Sequence, residues 1–293
     1  MTFINYENPV LVIGKNSFIG SSILNFAKNN KILGVSKNDC NLLSFESTES
    51  FFSQFKNRAV DVVFCSGIGR HLEDSLRSYR KNVCMIETFL HTIQTKNIII
   101  NTCIFLSSID VYGDFPNIPV CENTKILPSG YYGTSKASSE MLLNTYFSNT
   151  ETKLAILRLP GIYGANDNDT SIISRFYNKI KNNETISIFG SDSIKRDFVY
   201  INDLCFYVNS LLDNPKNVLL NIASGKSYSL INIIKCIENR LLKKAKIDYK
   251  PSTNRSYDLE FNTALLKKTF PMFQTTYIEK GIDDYLIQKK MIN

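Results

Sequence analysis

The sequence lacks features that several classes of protein require. Only two of the 293 residues are histidines, His71 and His91, and neither has a second histidine or cysteine at ligand spacing, so we expect no metal site. The seven cysteines are odd in number and scattered without a CxxC pair, which argues against a disulfide framework or a zinc ribbon. No window approaches the roughly 18 apolar residues of a membrane span, and the N-terminus has no basic segment followed by an apolar run. We therefore expect a cytoplasmic protein with no membrane partner.

The positive charge is also not clustered, as it would be on a nucleic-acid-binding surface. The formal net charge of +7 is spread along the chain, and its densest cluster is Lys243, Lys244 and Lys246. An excess of positive charge that is spread along the chain is typical of a solvated surface, so we expect no nucleic-acid partner. The same positive charge suits anionic small ligands such as nucleotide diphosphates. Hydrophobic residues make up 43% and charged residues 21%, which is ordinary for a soluble globular protein.

Strand-like and helix-like segments alternate through the first two-thirds of the chain. Short β-branched runs precede longer amphipathic segments, and helices are predicted from Phe18, Ser44, Glu73 and Tyr132. This alternation predicts an α/β fold of the Rossmann type, with a doubly wound parallel sheet covered by helices on both faces.

The pattern loosens after Arg158 into short strands and scattered helices. We predict a dinucleotide-binding domain over residues 1–165, to which a strand and a helix return from about 197–225. Residues 166–293 are predicted to form mainly a smaller C-terminal α/β substrate lobe. Ligands of such sheets bind at the carboxyl ends of the strands.

A glycine-rich turn follows the first predicted strand. Gly14 and Gly20 supply a tight turn and close helix–strand packing, which lets backbone N–H groups approach a pyrophosphate at the helix N-terminus. Ser17 stands where a third glycine would allow the closest approach, so the motif alone also fits an ordinary strand–turn–helix. We assign Gly14, Ser17, Phe18, Ile19 and Gly20 to the cofactor site.

Tyr132 and Lys136 are four residues apart and so share one face of a predicted helix. A lysine ammonium stabilises the phenolate and lowers the pKa of the phenol, which gives an acid/base for a carbinol or a ketone. Ser108 ends the preceding strand-like run, where its hydroxyl can hydrogen-bond the oxygen that the tyrosine protonates. The same spacing occurs at Tyr177 and Tyr285, each followed by its lysine, and there we predict solvated faces of polar helices.

The end of the second predicted strand distinguishes the two nicotinamide cofactors. An acidic residue there hydrogen-bonds the adenine ribose of NAD, whereas a basic or small polar residue accommodates the 2′-phosphate of NADP. Ser36 and Lys37 stand at this point, with Asp39 a little beyond. We therefore expect NADP, with NAD as the alternative.

Five motifs together resemble the extended short-chain dehydrogenase/reductases that act on nucleotide sugars, the NAD-dependent epimerase/dehydratase family. They are the turn from Gly14 to Gly20, SSIDVYG, YYGTSK, LRLPGIYG and RDFVYINDL, in the family's order and spacing. The resemblance extends from Val10 to about Leu266. The region after Ser36 is similar to that of GDP-fucose synthase-like ketoreductases and less like that of the epimerases.

The resemblance implies roles for individual residues. Tyr132 becomes the catalytic acid/base, Lys136 its partner and a ligand of the nicotinamide ribose, and Ser108 a ligand of the reacting oxygen. Asn82 becomes a structural asparagine of the following helix. Further cofactor contacts are implied for Asn41, Leu42, Ser66, Gly67, Pro160 and Ile162.

Two arginines are implied as ligands of the substrate diphosphate. They are Arg196 and Arg255, whose planar guanidinium groups suit phosphate oxygens. For Arg196 a surface ion pair with the neighbouring Asp197 is the structural alternative. The implied substrate is a nucleotide-diphosphate sugar.

The favoured hypothesis is NADPH-dependent reduction of a 4-keto nucleotide sugar, with Tyr132 delivering the proton. The alternatives within enzymes are a nucleotide-sugar 4-epimerase with tightly bound NAD and a dehydratase, for which Asp110 is the candidate acidic side chain. The favoured interpretation of Asp110 is that it orients the turn after the strand. A catalytically silent cofactor-binding scaffold is the alternative from another class. The resemblance also implies a homodimer that pairs helices near 74–96 and 132–148.

Overall fold

The structure is a computed structural model that describes residues 8–27, 31–114, 116–167, 169–251 and 257–292. The strands, numbered in chain order, are β1 (Val10–Ile13), β2 (Ile32–Val35), β3 (Ala59–Phe64), β4 (Ile99–Ser108), β5 (Lys153–Leu159), β6 (Gly161–Tyr163), β7 (Thr185–Phe189), β8 (Lys195–Tyr200), β9 (Val218–Asn221), β10 (Ser227–Ser229) and β11 (Lys246–Lys250). The helices are α1 (Phe18–Phe26), α2 (Phe45–Phe52), α3 (Leu76–Thr95), α4 (Tyr131–Phe147), α5 (Ile172–Lys181), α6 (Ile201–Asp213), α7 (Leu230–Leu241), α8 (Ala264–Thr269) and α9 (Ile278–Ile292).

Two compact units make up these residues. The first contains the described residues of 1–113, 125–158 and 205–220, and the second contains those of 114–124, 159–204 and 221–293. The division of labour between a cofactor-binding and a substrate-binding unit stays a prediction.

The first unit is built on a six-stranded sheet in the order β2-β1-β3-β4-β5-β9. β1 pairs in parallel with both β2 and β3, and β3 pairs in parallel with β4. After β2 the chain crosses back over β1 to form β3, so the strand order reverses between β1 and β3. The carboxyl ends at such a switch point form the crevice where ligands of open α/β sheets bind. The predicted Rossmann-like fold is confirmed.

Burial on both faces explains why the central strands are almost uniformly apolar. All four residues of β1 are buried, and the phenylalanines of α2, β3 and α3 pack into one aromatic cluster. Phe52 and Phe64 each lie with their ring centroids 5.6–5.8 Å from the Phe89 ring. Helices covering both faces make such a core possible.

Helix starts agree with the sequence to within about three residues. α2 begins directly after Ser44, whose hydroxyl accepts a hydrogen bond from the Ser47 N–H. The helix predicted from Glu73 begins instead at Leu76, because Ser75 and Ser78 form a reciprocal capping box there. None of the helices in the described part of the chain is both long and apolar enough to cross a bilayer.

The second unit contains two small sheets, β10-β8-β6 and β11-β7. Its helices correct one expectation from the sequence. Tyr177 and Tyr285 are 5% and 0% exposed, and their rings pack edge to face with centroids 5.4 Å apart. The prediction of solvated faces is therefore wrong for both tyrosines, because the apolar side of each helix faces the core.

Candidate active site

The turn after β1 requires glycine at both predicted positions. Gly14 has φ +100°, and a Cβ there would lie 3.0 Å from the Ser66 nitrogen at the end of β3. A Cβ on Gly20 would lie 2.3 Å from the Gly14 carbonyl oxygen. The turn therefore packs against α1 and the loop after β3 with no room for a side chain at either glycine, as a dinucleotide-binding turn does.

Ser17 has a structural role within this turn. It is the N-cap of α1: its hydroxyl accepts from the Gly20 N–H at 3.0 Å and donates to the Gly14 carbonyl at 2.8 Å. Ser17 is exposed, and Phe18 and Ile19 are half-buried in the first turn of α1. The helix N-terminus thus begins at the turn, where its N–H groups and dipole favour an anionic group.

A charged cluster at the end of β2 was only partly visible in the sequence. The Asp39 carboxylate accepts from the Lys15 ammonium at 2.8 Å, the Ser36 N–H at 2.8 Å and the Ser36 hydroxyl at 2.7 Å. These bonds, led by that from Lys15, lower the pKa of Asp39 to about 2. An acidic residue therefore does stand at the strand end, with its charge paired by a lysine that sequence reasoning missed.

A glycine inside a strand was the signal for Lys15. A Cβ on Gly34 in β2 would lie 2.8 Å from the Cβ of Lys15, so this glycine lets the lysine stem cross the strand. Glycine within a strand marks such close approaches. Lys37, the predicted NADP contact, is exposed beside the cluster.

The next two predicted cofactor residues differ in accessibility. Asn41 is half-buried, and its side-chain oxygen accepts from the Leu43 N–H at 3.3 Å. The Leu42 side chain is 4% exposed and belongs to the hydrophobic core. Any contact that Leu42 makes with a cofactor therefore comes from its main chain.

Asn82 holds the loop after β3 against α4. Its side chain accepts from the Ile68 N–H at 2.7 Å and donates to the Ile68 carbonyl at 3.1 Å and to the Ser135 hydroxyl at 3.2 Å. This is the structural role that the resemblance implied. The bonds fix the loop that starts with Ser66 and Gly67, and a Cβ on Gly67 would lie 3.6 Å from the Lys136 ammonium.

Ser108, Tyr132 and Lys136 come together at the carboxyl end of β4. Lys136 is 7% exposed, and its ammonium donates to the Leu106 carbonyl at 2.7 Å. The ammonium lies 5.8 Å from the centroid of the half-buried Tyr132 ring. Ser108 is 7% exposed, and its side chain lies near enough to the Tyr132 phenol to favour the phenolate. The sequence-predicted acid/base, its lysine and the hydroxyl thus share one site.

Burial dominates the electrostatics of this trio. Burial raises the pKa of Tyr132, and the Asp110 carboxylate raises it further, while Arg70 and the Ser108 hydrogen bond act in the opposite direction. The expectation that the phenol has a lowered pKa is therefore wrong for this structure, because desolvation of the phenolate outweighs the effect of the nearby positive charges. Burial also lowers the pKa of Lys136, to about 8.

The loop between β3 and α3 supplies two contacts that sequence reasoning missed. Asp74 accepts from the Tyr132 N–H at 2.8 Å, and a Cβ on Gly130 would lie 2.6 Å from the same carboxylate. Asp74 thus caps α4, whose own N-cap residue Gly130 has no side chain to do so. Arg70 lies 3.2 Å from the Asp110 carboxylate, close to Tyr132. No local sequence pattern marks these contacts, because the partners are far apart in the chain.

The other predicted residues lie in the second unit or outside the described residues. Pro160 follows β5, Ile162 lies in β6 and Arg196 in β8. Arg196 Nη1 donates to the carbonyls of Lys195, at 2.9 Å, and Tyr257. The diphosphate role of Arg196 stays a prediction. Arg255 falls among the residues that the structure does not describe.

The chain matches the model of the NAD dependent epimerase/dehydratase family over residues 10–223. That match covers well over half of the chain, so this protein belongs to the family. The resemblance found in the sequence motifs is confirmed. Relatives of this kind are enzymes that modify nucleotide sugars with a nicotinamide cofactor.

Two relatives show how far the similarity extends. The dTDP-4-dehydro-6-deoxyglucose reductase of Escherichia coli is 35% identical over 181 residues, which cover 58% of this chain and 57% of that enzyme. The GDP-L-fucose synthase of Dictyostelium discoideum is 23% identical over 308 residues, covering 97% and 96% of the two chains. The match to the bacterial reductase thus spans little more than half of its length.

Solved structures share the fold over nearly the whole chain. UDP-glucose 4-epimerase of Thermotoga maritima with UDP-glucose has a TM-score of 0.84 and 19% identity, covering 97% of this chain and 100% of that one. RMD from Pseudomonas aeruginosa complexed with NADPH has a TM-score of 0.84 and 16% identity, covering 98% and 100%. At these identities the likeness shows the fold alone.

Proposed function

We propose that this protein is an NADPH-dependent reductase of a 4-keto nucleotide sugar. The observation that carries the proposal is the convergence of Ser108, Tyr132 and Lys136 at the carboxyl end of β4, in the unit that also holds the glycine turn. The 35% identity to a dTDP-4-dehydro-6-deoxyglucose reductase supports the direction of the reaction and the class of substrate.

The residues fit both halves of a nicotinamide dinucleotide. Gly14 and Gly20 allow a tight turn at the N-terminus of α1, whose N–H groups suit a pyrophosphate, and Gly67 places no side chain beside Lys136. A bound reduced nicotinamide supplies the hydride for the keto carbon. Gly14, Ser17, Gly67 and Lys136 are proposed to hold the cofactor.

The chain's own contribution is to bind the keto oxygen and supply the proton. The hydroxyls of Ser108 and Tyr132 hydrogen-bond the oxygen, and Tyr132 transfers its proton as the carbonyl becomes an alkoxide. The raised pKa of Tyr132 keeps the phenol protonated at neutral pH, which is the state a proton donor needs. The Lys136 ammonium stabilises the phenolate that is left.

NADP is the proposed cofactor because of the cations around β2. Lys15 and Lys37 place positive charge at the strand end, where it suits a 2′-phosphate, and Asp39 is already held by Lys15 and Ser36. We expect Lys15→Ala to weaken NADPH binding and to strengthen NAD binding, because Asp39 is then freed for a ribose hydroxyl. Calorimetric titration of both cofactors checks this, with Lys56→Ala as the control for losing one surface charge. Unchanged affinities in Lys15→Ala would remove the basis for choosing NADP.

A second candidate is an epimerase or dehydratase with tightly bound NAD. Two observations favour it: Asp39 is an acidic residue at the end of β2, and the Asp110 carboxylate lies close enough to Tyr132 to raise its pKa. Such an enzyme would copurify with NAD and convert a sugar nucleotide without added cofactor. A reductase would be purified without NAD and would consume one NADPH per ketone.

The decisive experiment is NADPH oxidation with dTDP-4-dehydro-6-deoxyglucose and other 4-keto sugar nucleotides. We expect NADPH consumption with at least one substrate, and its loss in Tyr132→Phe. No consumption with any of them, together with unchanged cofactor affinity in Tyr132→Phe, would indicate a cofactor-binding scaffold.

The homodimer is also a proposal. Among the apolar residues of α3 and α4, Met141 is 62% exposed and therefore available to a second copy. Phe89 is fully buried, and Met85 and Leu142 pack against the unit's own core. Sedimentation velocity of the wild type and of Met141→Glu tests it, because a charge in the interface is expected to favour monomers.

A further inference from the structure

A buried polar cluster lies directly behind the three site residues. Glu140 and Arg158 are each 2% exposed and form a bidentate ion pair. The distance from Arg158 Nε to Glu140 Oε1 is 3.0 Å, and that from Arg158 Nη2 to Glu140 Oε2 is 2.7 Å. Glu140 Oε1 also accepts from the Ser107 hydroxyl at 2.5 Å, and Arg158 Nη1 donates to the Tyr112 hydroxyl at 2.8 Å. Ser107 and Tyr112 are 3% and 2% exposed, so the whole cluster is shielded from water.

Stability alone does not account for a cluster of this kind. Burying two charges carries a large desolvation penalty, and replacing a buried ion pair by apolar residues of similar volume is often neutral or stabilising. What the pair provides is geometry, because a carboxylate and a guanidinium joined by two parallel bonds fix the orientation of both side chains.

The four members lie on four elements next to the site. Ser107 is the residue before Ser108 at the end of β4, and Tyr112 ends the 3-10 turn Ile109–Tyr112 that follows it. Glu140 lies one turn beyond Lys136 on α4, and Arg158 is on β5. The cluster therefore ties the strand end carrying Ser108 to the helix carrying Lys136.

We propose that Glu140 and Arg158 are positioning residues, which set the register of α4 against the ends of β4 and β5 and thereby hold Lys136 opposite Ser108. The inference rests on the proposed function, because the residues that it positions are those of the proposed reduction. Sub-ångström placement of these groups matters, since a displacement of about 1 Å costs on the order of 100-fold in rate.

Electrostatics gives the same pair a second effect on the lysine. The titratable groups that face Lys136 are Cys65 at the end of β3, with Tyr132 and Glu140 on α4. Burial raises the pKa of Cys65 to about 12, so this thiol is neutral where Lys136 titrates. Glu140 is then the negative charge that raises the pKa of Lys136 against the effect of burial.

The main test separates positioning from stability. Glu140→Leu removes the carboxylate that balances the buried Arg158 charge, so its Tm should fall sharply, and adding Arg158→Met should restore Tm because both charges are gone. We expect kcat of the double variant to stay roughly 10- to 100-fold below that of the wild type, with KM little changed. Recovery of kcat together with Tm would overturn the proposal.

A matched control and a milder variant complete the test. Val60 is fully buried at the opposite end of β3, so Val60→Ala should lower Tm without changing kcat. Ser107→Ala leaves the ion pair intact and removes only the bond to the strand end; we expect kcat to fall about tenfold with little change in Tm. If the double variant does not fold, wild-type kcat in Ser107→Ala would overturn the proposal.

Measuring NADPH binding tests the positioning role without requiring turnover, so its failure can be told apart from failure of the proposed reaction. If wild-type protein reduces no keto sugar nucleotide, the proposed function fails, while the pH dependence of the NADPH dissociation constant still reports on Lys136. In Glu140→Gln the alkaline loss of affinity should move to lower pH, because the lysine loses its proton more readily. The same midpoint and the same NADPH affinity in wild type and Glu140→Gln would overturn the proposal, because neither the charge nor the position of Lys136 would then depend on Glu140.

Discussion

Three tyrosine–lysine pairs in this chain have the same spacing and nearly the same local geometry. In each pair the lysine ammonium lies 5.7 or 5.8 Å from the centroid of the tyrosine ring. The pairs are Tyr132/Lys136, Tyr177/Lys181 and Tyr285/Lys289. A helix brings residues four apart together wherever the spacing occurs, so this geometry does not distinguish a catalytic pair from a structural one.

The surroundings differ sharply. Lys136 is buried at a strand end, where its ammonium donates to the Leu106 carbonyl, and the half-buried Tyr132 lies next to Ser108. Tyr285 is 0% exposed and packs against Tyr177 inside the second unit. A hydroxyl sealed in a core cannot meet a substrate, whereas one at the carboxyl edge of a parallel sheet lies where ligands bind. Position in the fold, and not spacing, gives Tyr132 its proposed chemistry.

The largest expected effect comes from removing the phenolic oxygen, which we compare at Tyr132 and at Tyr285. Tyr132→Phe should lower kcat by about 10²- to 10⁴-fold, because the proton donor is lost. Tyr285→Phe should leave kcat unchanged and raise the free energy of unfolding by up to about 1 kcal/mol, because its buried hydroxyl has no partner among the described residues. Steady-state kinetics and urea unfolding of both variants measure this. Equal losses of kcat would contradict a special role for Tyr132.

The next effect concerns the proton on Lys136. The pKa of this lysine is about 8 in the folded protein against 10.5 for the ordinary side chain. Between these values the unfolded chain binds a proton that the folded protein does not, so stability should rise with pH. Relative to Lys136→Met, the free energy of unfolding of the wild type should increase by up to about 3 kcal/mol from pH 7 to pH 10.5. A constant difference over this range would mean that Lys136 is not desolvated.

A smaller effect is expected from the cap on α4. Asp74→Ala removes the acceptor of the Tyr132 N–H, so the free energy of unfolding should fall by about 1 kcal/mol. We expect kcat to fall roughly five- to tenfold. Ser229→Ala is the matched control, since Ser229 caps α7 through the Asn232 N–H in the second unit. It should lose similar stability with unchanged kcat. A normal kcat in Asp74→Ala would limit the cap to a structural role.

The smallest effect is expected at the glycine turn. Ser17→Gly exchanges one N-cap residue for another and should lower the free energy of unfolding by only a few tenths of a kcal/mol, at about the limit of detection. We expect NADPH affinity to be preserved or increased, because the glycine allows closer approach of the backbone to the pyrophosphate. Fluorescence titration with NADPH measures the affinity. A collapse in affinity would show that the Ser17 hydroxyl is itself a required ligand.

Features that depend on neighbouring residues could be predicted from the sequence. The strand–helix alternation, the glycine turn and the helix starts at Phe18, Ser44 and Tyr132 agree with the structure to within a residue or so. The predictions were wrong where the outcome depends on burial. These were the solvent exposure of Tyr177 and Tyr285 and the direction in which the pKa of Tyr132 is shifted. Neither solvent exposure nor desolvation is encoded in residue spacing.

By itself, the sequence determined the local geometry of this protein. Only glycine tolerates the backbone at position 14, and a spacing of four places Lys136 beside Tyr132 on a helix. Only the tertiary structure decided which tyrosine–lysine pair lies at a strand end and that the Asp74 carboxylate caps α4. It also decided that Lys15 forms an ion pair with Asp39 and Arg158 forms one with Glu140. The physical reason is that these contacts join residues distant in the chain, and that the energy of a charge depends on the water which the fold removes around it.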